Sequence, residues 1–242
     1  MFEFVINIFN TVLYYPLFNA LVSLYNYIPG HDFGIAIIVL TFIIRIILYP
    51  ISLKAVISQR ALSDLQPKMQ EIQKKYKDDK ERQAKETLEL YRKEKINPFS
   101  GLLLALIQFP ILIALYSVFW HGLNPAELKN LYSFVINPQQ ISANFLGIIN
   151  LAKPNMGFAV LAGIFQFFQT KMLTPKKDAG KGKKSDFSQM MQNQMLYFLP
   201  VLTIIILLGL PSALGLYWIA SGVFSVVQQY FILKKLDAKK AS

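Results

Sequence analysis

The chain has 242 residues, 54% of them hydrophobic, a mean hydropathy of +0.38 and a formal net charge of +11. This is the composition of an integral membrane protein, and the absence of cysteine excludes disulfides, thiolate chemistry and Cys-bound metals. With His31 and His121 as the only histidines, no carboxylate cluster in the apolar stretches and no Gly-rich phosphate loop, neither metal nor cofactor chemistry is expected.

Residues 1–31 form an apolar N-terminal segment without the basic start or small-x-small site of a removable signal peptide. Its polar residues Glu3, Asn7, Asn10, Asn19, Ser23 and Asn26 recur mostly every three or four positions. That stripe predicts an interfacial amphipathic helix with Tyr14, Tyr15, Tyr25 and Tyr27 at headgroup depth; a further span is the alternative. Residues 32–242 read as a core of five transmembrane helices, each of about twenty residues.

The first span is Phe33–Leu53, almost entirely Ile, Val, Leu and Phe, and it contains Arg45. Arg45 lies about 13 Å of helix rise from Lys54, close to the middle of a hydrocarbon core roughly 30 Å thick. Inserting such a charge costs about 2.5–3.5 kcal/mol on biological scales, which the flanking aliphatic residues offset at roughly 0.3–0.6 each. The span can insert, but the guanidinium needs water or a partner.

Residues 54–97 carry a dense set of Lys and Arg and read as a cytosolic helical hairpin. Leu62, Leu65, Met69, Ile72 and Tyr76 step by three and four, the seam of a two-helix contact. Lys77-Asp78-Asp79 makes the turn, with Asp78 and Glu81 as a capping pair, and Ala84, Leu88 and Tyr91 share a face of the second arm. Pro67 either kinks the first arm or begins a new helix. A solvated helix pair with no partner is the plainer reading of this hairpin.

The second span, Pro98–Trp120, opens on an Asn97-Pro98 cap and is expected to kink at Pro110. Residues 121–153 form an extracytoplasmic loop, and the third span is Pro154–Leu173. Residues 174–194, rich in Lys, Gly and Ser, read as a flexible cytosolic linker, where Met190, Met191 and Met195 could offer a pliable apolar contact or fill the core. The fourth and fifth spans share Met195–Leu233 and reverse tightly at Gly209–Gly215. A basic tail, 234–242, with Lys234, Lys235, Lys239 and Lys240, suits anionic headgroups, or ribosomal RNA. Basic residues crowd 54–97, 174–194 and the tail, against only Lys129 and Lys153 in the loop on the other side, so the N-terminus is expected outside and the C-terminus in the cytosol.

Residues 98–120, 154–173 and 195–233 contain no Asp or Glu, so these spans offer Arg45 no ion pair. Water in a membrane cavity must solvate it, aided by polar side chains. Candidates are Gln108 and Ser117 on the second span, Gln166 and Gln169 on the third, and Ser221, Ser225, Gln228 and Gln229 on the fifth. Ordinary interhelical hydrogen bonding is the alternative for any of them.

Several motifs resemble the bacterial YidC, mitochondrial Oxa and chloroplast Albino family of membrane-protein insertases. They are Leu65-Gln66-Pro67-Lys68, Lys77-Asp78-Asp79-Lys80, Leu90-Tyr91-Arg92-Lys93, Asn97-Pro98 and Leu106-Ile107-Gln108-Phe109-Pro110-Ile111. Ala114-Leu115-Tyr116, Lys171-Met172, Phe198-Leu199-Pro200, Pro211-Ser212-Ala213-Leu214-Gly215-Leu216-Tyr217-Trp218 and Val227-Gln228-Gln229-Tyr230 carry the match to the C-terminal end. Neither the large periplasmic domain of many Gram-negative members nor the lipobox cysteine of many short Gram-positive forms occurs in these residues.

The resemblance implies a groove open to cytosol and lipid and closed outward, with Arg45 at its floor and Trp218 among its lining residues. It implies insertion of nascent membrane proteins with short acidic extracytoplasmic tails by a non-enzymatic monomer in the bacterial plasma (inner) membrane. Membrane lipids, the Sec translocon and the ribosome are the further partners it implies, and DNA is not one. A solute or ion transporter is the rival, but it would call for coupling carboxylates or a repeat, and the sequence has neither.

Overall fold

The computed structural model describes residues 2–97, 99–122, 124–174 and 186–241, with side chains for all of these except 2, 100–105, 186–193, 195 and 239–241. The regular structure of the described chain is helical apart from one small hairpin. In order, the helices are α1 (Phe2–Phe9), a π-helical turn (Asn10–Tyr14), α2 (Tyr15–Tyr27), α3 (Phe33–Ile47), α4 (Tyr49–Lys75), α5 (Lys80–Lys93) and α6 (Ser100–His121). A 3-10 helix (Pro125–Asn130) and the strands β1 (Asn144–Phe145) and β2 (Ile149–Asn150) precede α7 (Met156–Leu173), α8 (Asp186–Leu208) and α9 (Ser212–Ala241).

Among the described residues, Glu3–Tyr27, α7 and α9 are long and apolar enough to cross a bilayer, and the bent pair α3–α4 makes a fourth such unit. The described parts of α6 and α8 contribute the shorter apolar helices Leu106–His121 and Leu196–Leu208. Glu3–Tyr27 therefore passes as a span by length and composition, although its polar stripe reads as interfacial. That stripe is not one exposed face. Asn19 is buried, donating to the Tyr15 and Asn130 carbonyls and accepting from the Tyr132 amide. Tyr14 and Tyr25 are likewise buried, bonded to Glu127 and the Ser142 amide. The loop after α6 supplies these polar partners, which the stripe alone could not reveal.

The expected span 33–53 contains a bend. α3 stops at Ile47, the backbone turns by 67°, and α4 carries Pro50 in its first turn, where a missing amide costs nothing. α4 then runs through Pro67 without interruption, so that proline neither ends nor begins a helix. The turn between α4 and α5 is capped by Asp79, which accepts from the Arg82 amide at 2.9 Å, one residue later than the expected Asp78–Glu81 pair. The inward face of α5 is also shifted: Gln83, Thr87, Leu90 and Tyr91 are half-buried while Ala84 and Leu88 are exposed. Tyr91 reaches the Met69 sulfur at 3.4 Å, Tyr76 reaches Glu86 at 3.3 Å, and Lys68 pairs with Glu94 at 2.5 Å. A short hairpin joined by polar contacts sets its own rotation, since so little apolar area directs it.

Pro98 lies outside the described residues; Asn97 accepts from the Phe99 amide at 2.9 Å just before α6. The linker expected over 174–194 is helical from Asp186 on, because Gln, Met and Asn there continue α8 without a glycine or proline. Residues 175–185 of that linker and the side chains of Met190, Met191 and Met195 lie outside the described residues. The reversal between α8 and α9 is narrower than expected, with Ser212–Gly215 already helical. α8 and α9 barely touch each other; α7 packs against both. Small residues allow this approach: added side chains would collide with Ile204 at Gly163 and with Phe165, 2.7 Å away, at Gly222. The expected tail 234–242 prolongs α9 to Ala241, and the side chains of Lys239 and Lys240 lie outside the described residues.

Candidate functional site

α9 carries the site. Tyr217, Ser221, Ser225 and Gln228 recur by four, four and three residues, so they share one face, and all four are buried. Arg45 comes from the last turn of α3, packed on α9, and its guanidinium donates to Ser221 Oγ. One turn along α9, the Tyr217 hydroxyl accepts from Gln108 Nε2 of α6 at 2.5 Å and neighbours both Ser221 and Arg45. Three helices thus bring a guanidinium, a carboxamide, a phenol and a hydroxyl into one cluster.

Its charge balance is one-sided. Among the described residues no carboxylate lies within ion-pair distance of Arg45, which is half-buried rather than sealed. Among the described residues, Gln108 Oε1 is buried without a hydrogen-bond partner. Further along the stripe, Gln228 Nε2 donates to Ser52 Oγ on α4 at 2.7 Å, and Ser52 donates to the Tyr49 carbonyl at 3.0 Å. Gln229 Oε1 is also buried without a partner among the described residues. The polar face of α9 therefore runs from the cluster past the bend, toward the arm of the hairpin. There Arg60 pairs with Asp64 on α4 and Asp237 on α9, each at 3.4 Å.

Of the residues singled out in the sequence, Arg45 meets Ser221 and Gln108 meets the neighbouring Tyr217, with Ser225 and Gln228 on the same face of α9. Ser117 does not join them. It follows Gln108 by nine residues, half a revolution, and faces away from the cluster, half-buried. Gln166 and Gln169 are half-buried on α7 and, among the described residues, make no side-chain hydrogen bond to the cluster. Trp218 lies beside it rather than in it: its ring meets that of Tyr217 edge-on at 6.1 Å and packs against the apolar core. Tyr217 and Ser52 were missed. Tyr217 was legible, being one turn before Ser221; Ser52 meets Gln228 only because the chain bends at Leu48.

The opposite end of the bundle is closed over by residues 124–155. The Ser212 and Ala213 amides donate to the Lys153 and Leu151 carbonyls at 3.0 and 3.1 Å, and Leu151 is fully buried. The polar face of α9 therefore begins beneath a packed cap and runs away from it.

Bent and straight apolar helices around a one-sided polar cluster define a polytopic α-helical membrane protein with an arginine set in an apolar helix. The family described as the 60Kd inner membrane protein matches residues 23–240, and the chain belongs to this YidC/Oxa family. A relative from Fusobacterium nucleatum, named membrane protein insertase YidC, is 37% identical over 204 residues, covering 84% of this chain and 87% of that protein. One of the same name from Oceanobacillus iheyensis is 32% identical over 238 residues, covering 96% of this chain and 86% of its own length. A Wolinella succinogenes relative, also so named, is 36% identical over 225 residues, but the chain spans only 38% of it.

Proposed function

We propose that this chain is a membrane-protein insertase that works through a hydrated groove bounded by α3, α6 and the polar face of α9. The observation that carries the reading is a half-buried Arg45 held by Ser221, with no carboxylate among the described residues to neutralise it. Water standing in such a groove shortens the apolar distance that a polar segment must cross. Arg45 attracts the acidic residues of a client's short extracytoplasmic tail, which enters the groove while the adjoining apolar span moves into lipid. The client's own transfer free energy drives the step, at roughly 25 cal/mol per Å² of apolar surface removed from water, so no nucleotide is required.

In this reading the N-terminus faces outward and the C-terminus the cytosol, the loop 121–153 closes the outer side, and the hairpin of α4 and α5 receives the client first. A monomer suffices for the groove, with the Sec translocon and the ribosome as partners that deliver clients. The lack of any cysteine makes the test direct. Gln108→Cys and Ser117→Cys carry a photocrosslinker on opposite faces of α6, in membranes receiving a nascent single-span protein with an acidic tail. Crosslinks from 108 and few from 117 are expected. Equal yields from both faces, or none from 108 while the client still inserts, overturn the groove.

A further inference from the structure

We propose that the β1–β2 hairpin is a lipid anchor, its tip inserting into the bilayer interface at the capped end of the bundle. β1 and β2 pair antiparallel in the register Asn144↔Asn150 and Phe145↔Ile149, and the Ile148 amide donates to the Phe145 carbonyl at 3.0 Å. The two central residues of this turn, Leu146 and Gly147, both have positive φ, +51° and +69°. Asn, Asp or Gly fills such a left-handed position without strain; a leucine there is unusual. Leu146 is 61% exposed and Ile148 84% exposed, so neither is held by packing against the protein. A strained turn that displays two aliphatic side chains to water gains nothing from the fold itself. It is accounted for if those side chains meet lipid.

The depth of the tip is fixed by the helices it is fastened to. Asp32 accepts from the Ile35 amide with one carboxylate oxygen, at 2.9 Å, capping α3, and from the Leu146 amide with the other, at 2.5 Å. Phe145 lies against Gly34, where any added side chain would collide with its ring, and meets Phe158 of α7 edge-on at 6.2 Å. Past β2 the chain turns through Leu151 to Lys153, and the carbonyls of these two residues hold the first amides of α9. The hairpin is thus bolted to the starting turns of three apolar helices, α3, α7 and α9. Such turns lie at the boundary between headgroups and hydrocarbon, so a tip projecting there is continuous with the apolar belt of the spans. Asp32 already satisfies two amides, and Lys153, three residues past β2, is exposed, which suits a phosphate-rich surface. The consequence is mechanical: the anchor fixes the entry level of α3, and with it the depth of Arg45.

The test uses the full chain reconstituted in phosphatidylcholine–phosphatidylglycerol vesicles, with an environment-sensitive fluorophore on Leu146→Cys, Ile148→Cys or, as a control, the exposed loop position Gln140→Cys. Labels at 146 and 148 should emit further to the blue than the label at 140. They should be quenched by lipids carrying a shallow nitroxide and little by aqueous iodide, with the reverse at 140. Iodide quenching at 148 equal to that at 140 overturns the proposal. So does a blue shift that disappears when protein is diluted in excess lipid, since that marks contact between two copies.

Discussion

Replacing Arg45 separates charge from shape at the proposed client site. A carboxylate 4 Å from the guanidinium is held by about 1 kcal/mol in bulk water and about 4 at an effective dielectric near 20. The half-buried setting of Arg45 lies between these limits, so a contribution of about 2 kcal/mol is expected, close to thirtyfold in rate at tenfold per roughly 1.4 kcal/mol. Arg45→Ala should therefore slow insertion of a client with an acidic tail by about that factor. A client whose tail carries Asn and Gln in those places should be affected only slightly. Arg45→Lys keeps the charge and should retain most of the rate. Misfolding is a poor explanation for loss in the alanine variant, because removing an arginine from an apolar helix lowers its insertion cost by about 2.5–3.5 kcal/mol. The assay is protease protection of single-span clients translated in the presence of proteoliposomes. The reasoning is refuted if Lys performs no better than Ala with the acidic client, or if the neutral client loses as much as the acidic one.

Three further outcomes are expected. Ser52→Ala and Gln228→Leu remove the two ends of a buried interhelical bond; a double-mutant cycle on unfolding in detergent should give a coupling of about 0.6–1.7 kcal/mol, and strict additivity would deny that this bond fastens the bend to α9. Gly34→Ala forces a methyl group into the Phe145 ring and should destabilise the protein by about 1–3 kcal/mol in the same unfolding assay, whereas Gly30→Ala, with open space around it but a φ of +78°, tests backbone strain alone. The Lys68 ammonium holds the Glu94 carboxyl below its ordinary value, so this contact favours the paired hairpin above the ordinary glutamate range and is lost as pH falls through the depressed folded value. Limited proteolysis between α4 and α5 should accelerate over that acidic interval, and Glu94→Gln should flatten the response without shifting it to neutral pH.

Much of this protein is determined by local patterning. Apolar runs, basic loops and the Gly209–Pro211 reversal place α3, α6, α7, α8 and α9 along the chain, because a bilayer accepts only backbone that satisfies its own hydrogen bonds. The need of Arg45 for polar company was legible for the same reason: a charge with no acid in the spans can be held only by water and neutral donors or acceptors. Gln108, Ser221, Ser225 and Gln228 followed from being polar residues in apolar helices, and Tyr217 follows from the same four-residue step.

The tertiary structure decided what periodicity could not. Which polar residues meet depends on helix rotation, so Gln108 enters the cluster while Ser117, on the same helix, points away. The bend at Leu48 unites Ser52 with Gln228, a contact between residues distant in sequence that no spacing rule encodes. The hairpin arm α5 settled one residue out of its expected phase, since few apolar contacts guide it. Loop 124–155 turned from a connection into a cap, because its bonds to Asp32, Asn19, Tyr25 and Ser212 exist only once the helices stand side by side. Secondary structure and topology follow from each segment's transfer energy, whereas site geometry follows from packing, which is a property of pairs.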